Sequence, residues 1–92
     1  MAGNTALKTP LAERKALFWD ISPERISTAL VENDDWAIVR IFGYGNIKDI
    51  HNAIEFYGHE KTTSVLSREK LRPMARVMAY LFLNVDPEHR YL

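Results

Sequence analysis

The run Trp36-Ala37-Ile38-Val39-Arg40-Ile41-Phe42 is apolar on almost every side and carries one permanent charge in its middle. A segment of this kind has to be surrounded by the rest of the chain, so it dictates where the core lies. Its β-branched and aromatic residues would also suit a buried strand. No second strand-like segment exists to pair with it, and a lone strand cannot satisfy its backbone N–H and C=O groups. The run therefore reads as a central helix over 35–44, capped by Asn33 or Asp34. Arg40 inside it needs a carboxylate or several carbonyls, and Asp20 or a neighbour in the acidic segment 20–35 can supply one as a structural ion pair.

Helix stops and starts follow on both sides. Gly45 suits a left-handed residue just past a C-terminus, Asn46 can cap the next helix, and Asp49 stands where a carboxylate meets free amides. Ile47, Ile50, Ile54 and Tyr57 then form an apolar stripe that ends at Gly58 with the same C-terminal geometry. A shorter helix is expected from His59 to Leu66. Pro73 opens the last one, where Met74, Val77, Met78, Leu81, Phe82 and Val85 mark the inward face and Asp86-Pro87 the stop, with a final turn through His89. Upstream, Thr9-Pro10 starts a helix running to about Phe18, and Ser22-Pro23-Glu24-Arg25 starts a short turn or helix. The chain is thus expected to be all-α, a compact bundle of five or six short helices. Residues 1–8 read as a flexible N-terminus and 9–92 as a single helical domain.

At 92 residues, one domain leaves little room for a deep enclosed active site. Apolar residues at 47% and charged residues at 26% exclude the disordered class. The absence of cysteine excludes disulfides, thiol nucleophiles and Cys-ligated zinc. No apolar run is long enough to span a membrane, and MAGNTALKTP lacks the layout of an export signal. A cytoplasmic location is expected. Formal net charge is zero, but unevenly arranged. Asp20, Glu24, Glu32, Asp34 and Asp35 face only Arg25 in 20–35, while Lys61, Arg68, Lys70, Arg72 and Arg76 outnumber Glu60 and Glu69 in 60–76. Such a dipole can orient a partner or a second copy in a homodimer.

Catalytic motifs are not found. Gly43-Tyr44-Gly45 is followed at the third position by Lys48 and lies in helical surroundings, so it is no dinucleotide fingerprint. No phosphate-binding loop or nucleophile elbow occurs. His51, Glu55 and His59 have helical spacing for a metal, but Gly58 breaks the row, and a surface histidine with an i,i+4 polar pair is the better reading. The expectation is a protein that is not an enzyme, without cofactor or metal.

Binding remains. Helices 47–57 and 59–66 around Gly58 match a helix-turn-helix in length, and Lys61, Thr62, Thr63 and Arg68, extended by Lys70, Arg72 and Arg76, would face nucleic acid. The neutral chain weighs against that, since phosphate neutralisation usually needs a basic domain or a dimer. Trp19 and Trp36 are candidate anchors for a protein partner, although aromatics in so small a chain more often belong to the core.

The stretches ALFWDISPERIS, AIVRIFGYGNIKDIHNAIEFYGHEK and LSREKLRPMARVMAYLFLNV together resemble a family of small, functionally uncharacterised bacterial helical proteins. The resemblance covers roughly 16–85 and falls on Phe18, Trp19, Asp20, Arg40, Tyr44, Gly45, Asn46, Tyr57 and Gly58. Two positions depart from it: Gly43, where a charged residue is more typical, and Arg72-Pro73, in place of a small polar cap. Members often lie beside genes for abortive-infection type nucleotidyltransferase toxins. The resemblance therefore implies an antitoxin-like or accessory protein that binds a protein partner, with such a toxin as candidate. It brings no catalytic residues.

Overall fold

A computed structural model describes residues 9–85. The readings of a flexible 1–8 and of a turn through His89 lie outside the described residues. Five α-helices follow one another: α1 (Ile26–Glu32), α2 (Asp34–Tyr44), α3 (Ile47–Tyr57), α4 (His59–Arg68) and α5 (Pro73–Leu83), with short 3-10 turns at Pro10–Glu13 and Pro23–Arg25 before them. No strand occurs among the described residues.

Helix α2 is central: it packs against α1, α3 and α4 and most extensively against α5. Ala37, Ile38, Ile41 and Phe42 are completely buried. Around them close Leu11 and Phe18 from the irregular N-terminal segment, Ile26 and Leu30 from α1, Ile50 from α3, and Val65 and Leu66 from α4. Asn33 precedes α2, and the side chain of Asp34 accepts the Asp35 N–H at 2.8 Å, with both carboxylates at the positive end of the helix.

The two Tyr-Gly stops work differently from each other. Gly58 has φ +91°, a conformation that side chains resist, and it turns α3 into α4. Gly45 is not left-handed as its spacing suggests, but extended, with φ −81° and ψ 169°. Its requirement is space: a Cβ there would stand 2.6 Å from the Ile41 carbonyl oxygen and 2.9 Å from Asp49 Cβ. The crowding arises because Asp49 folds back over the α3 N-terminus. Asn46 Oδ1 accepts the Asp49 N–H at 2.8 Å, while Asp49 Oδ2 accepts the Asn46 N–H at 2.9 Å, forming a reciprocal cap.

Two further expectations are corrected. The segment after Pro10 is not a helix to Phe18: the backbone leaves helical space at Arg14 (φ −86°, ψ 74°) and continues as hydrogen-bonded turns. Arg14 there donates from Nε and from a terminal nitrogen to the two oxygens of Asp49, at 2.8 and 2.9 Å. At Ser22–Arg25 the expected short turn or helix is a 3-10 turn that runs on into helix α1. Helix α5 ends before Asp86-Pro87, at Leu83, because Asn84 takes the left-handed conformation (φ 57°) and the Val85 N–H reaches back to the Ala79 carbonyl.

The inward face of α5 is the expected one only in part: Val85 is buried and Met78 and Phe82 pack against the core. Ala75, Ala79 and Leu83 are buried, whereas Met74 and Leu81 are 49% and 64% exposed. Small residues let α5 lie close to α2, with Ala75 Cβ 3.9 Å from the position a Cβ on Gly43 would occupy. Ile47 of the α3 stripe is likewise exposed, while Ile50 is buried.

Candidate functional site

Trp36, Arg40 and Tyr44 recur at i, i+4 and i+8, so one side of α2 carries a ring, a guanidinium and a ring in line. The Arg40 guanidinium carbon lies 4.2 Å from the Trp19 ring centroid, 4.7 Å from that of Trp36 and 5.6 Å from that of Tyr44. Its nitrogens donate to both oxygens of Asp20, at 3.1 and 2.9 Å, and to the Leu17 carbonyl at 3.2 Å. The hydrogen bond from Arg40 holds the Asp20 carboxyl below the usual carboxylate range. Side chain Arg40 is only 11% exposed. A permanent charge so little hydrated persists because every face of it is occupied by π-electrons, a carboxylate or a carbonyl.

This arrangement separates the two tryptophans. Trp36 is half-buried and tilts against Phe18, with centroids 5.8 Å apart, so it backs the cluster from the core side. Trp19 is 59% exposed and meets Tyr44, itself 54% exposed, edge to face at 5.4 Å. The Arg72 guanidinium lies 4.1 Å from the Tyr44 ring centroid. Arg72 reaches it across Gly43, where a Cβ would come within 3.0 Å of Arg72 Cδ. Ile47, three residues beyond Tyr44, and Met74, two beyond Arg72, are exposed as well. Of the six large apolar side chains exposed among the described residues, Trp19 and Tyr44 form this face, and Ile47 and Met74 are within three residues of Tyr44 or Arg72 along the chain. Sequence reasoning missed Tyr44, Ile47 and Met74; the i, i+4, i+8 spacing through Arg40 was the available signal for Tyr44.

The residues expected to form a nucleic-acid row are largely engaged inside the molecule. Thr62 is completely buried, its hydroxyl donating to the Gly58 carbonyl at 2.7 Å, so it offers nothing to a groove. Thr63 is half-buried and its hydroxyl oxygen is shielded from solvent. Lys61 pairs with Asp34 at 2.7 Å and Arg68 with Asp35 at 2.8 Å, joining α4 to the start of α2. Arg76 donates to the Leu71 carbonyl at 2.9 Å. Arg72 belongs to the aromatic face, and Lys70 is exposed. His51 packs edge-on against Phe82, with centroids 5.1 Å apart. Among the described residues no group of three or more His, Asp or Glu comes together to hold a metal. No helix among them is long and apolar enough to cross a membrane.

The model of a family of unknown function, DUF6922, matches residues 13–66, and the chain belongs to that family. The matched span contains Trp19, Asp20, Trp36, Arg40 and Tyr44, and stops before Arg72 and α5. Searches of curated proteins and of solved structures returned no match.

Proposed function

We propose that this chain acts by binding rather than by catalysis, docking a protein partner on the face made by Trp19, Tyr44, Ile47 and Met74. One observation carries the reading: two adjacent aromatic side chains stand more than half exposed, yet are held in place by arginines. Tryptophan, tyrosine and arginine are the residues that dominate interface energies, and rings fixed before binding lose little freedom on complex formation. The sequence resemblance supports an antitoxin-like or accessory role, with a nucleotidyltransferase-type toxin as the partner.

The test is co-expression with a nucleotidyltransferase-type toxin of the kind the resemblance implies, followed by size exclusion and titration calorimetry. The expected result is a stable complex that Trp19→Ala and Tyr44→Ala each weaken by about 30-fold or more, since central aromatic anchors typically contribute ~2 kcal/mol or above. Unchanged affinity in both variants, or no complex, would overturn the reading.

A further inference from the structure

Most cations among the described residues fall into two sets. Arg14, Arg40, Lys61 and Arg68 each bind a carboxylate within the fold, to Asp49, Asp20, Asp34 and Asp35 respectively. Lys15, Arg25, Lys48, Lys70 and Arg72 form no ion pair among the described residues, and all five are exposed. Of those five, Arg72 belongs to the aromatic face, and Lys48 and Lys70 stand close to its residues along the chain. Lys48 follows Ile47 at the start of α3, Arg72 lies on Tyr44, and Lys70 is two residues before Arg72. Arg72 thus sets an uncompensated positive charge against exposed aromatic surface, although the whole chain has a formal net charge of zero.

From that charge pattern we infer that the face receives an acidic segment of its protein partner: an aromatic or aliphatic side chain set on Trp19 and Tyr44, flanked by Asp or Glu residues that meet Lys48, Lys70 and Arg72. The inference rests on the docking role proposed above and names the chemistry of its partner. The Arg72 guanidinium over Tyr44 pairs with no carboxylate among the described residues, and a guanidinium can donate two parallel hydrogen bonds to one carboxylate. Rim charges of this kind steer association and select among partners more than they add affinity. A nucleic-acid strand could also place phosphates near the rim, but exposed Ile47 and Met74 match hydrocarbon rather than a phosphate backbone.

A random-peptide phage library selected on the folded chain tests this. Selections are run in parallel on wild type, on Trp19→Ala/Tyr44→Ala and on Lys48→Ser/Lys70→Ser/Arg72→Gln, with circular dichroism verifying that each variant is folded. The expected outcome on wild type is a set of peptides enriched in Asp and Glu around one large apolar residue. These should be lost on the aromatic variant and bind about tenfold more weakly to the rim variant, with much of the gap closing at high salt. Peptides that depend on Trp19 and Tyr44 but carry no acidic enrichment would overturn the inference while leaving the docking role standing. Peptides indifferent to both aromatic residues would overturn both. A single-stranded oligonucleotide that binds wild type and displaces the selected peptides would assign the face to nucleic acid and refute the proposal.

Discussion

Arg40 occupies a place where hydrocarbon would otherwise stand, and its shape matters as much as its charge. A flat guanidinium can lie between two indoles while its edge reaches Asp20 and the Leu17 carbonyl. An ammonium cannot do all of these at once. Arg40→Lys is expected to cost about 1–2 kcal/mol in urea unfolding and to raise the mobility of Trp19, read by its fluorescence anisotropy. Asp49 is the second residue on which much depends. Burial alone would raise its pKa, but Arg14 and the Asn46 N–H favour the carboxylate and the net shift is downward. The native state therefore binds this proton less readily than the unfolded chain. The contribution is complete above the unfolded carboxylate range and is lost as pH falls through the native value. Stability measured by thermal unfolding should be flat near neutrality and fall below about pH 4, and Asp49→Asn should be less stable at pH 7 and less sensitive to acid.

The element ends separate two reasons for a glycine. At Gly58 nothing lies within 4 Å of an added Cβ, so Gly58→Ala pays only for its positive φ, about 1–2 kcal/mol. At Gly45 the dihedrals suit any residue, but an added Cβ would meet backbone; Gly45→Ala should cost more, roughly 3 kcal/mol, and break the α3 cap. Chemical denaturation of the two variants decides the order. Helices α2, α3 and α4 were legible because caps and glycines delimit them. The start of α1 was legible at Ser22-Pro23 but its extent was not, since Ser27 and Thr28 interrupt the apolar pattern and only Ile26, Ala29 and Leu30 hold its buried side. The inward face of α5 was legible at Met78, Phe82 and Val85 but misread at Met74 and Leu81, because hydrophobicity ranked these above alanine, whereas close approach to α2 selects the smallest side chains for the contact. Tyr57 shows a similar limit: its ring belongs to the expected stripe, but its hydroxyl donates to the Leu30 carbonyl at 2.7 Å, and burial pushes its pKa upward.

Across the whole molecule, α5 is the element that completes the core. It packs against α2 more extensively than any other helix does, although the family match ends at residue 66. A chain ending at residue 68 should fail to fold by itself: Ile38, Ile41 and Phe42 would lose cover, and burying large apolar groups incompletely costs several kcal/mol against a total of only about 5–15. Loss of the cooperative thermal transition, with binding of a hydrophobic dye, is the expected observation, and a sharp melt of the shortened chain would refute it. The candidate face was legible only in part for the same reason, since it joins residue 19, the end of α2 and the entry to α5, which no local spacing connects. The two positions that stood out from the sequence resemblance, Gly43 and Arg72, turn out to lie against each other. Whatever atom stands at the hidden position decides whether the guanidinium above can reach its ring. Selection can thereby alter what the exterior recognises by changing a residue that no partner ever touches.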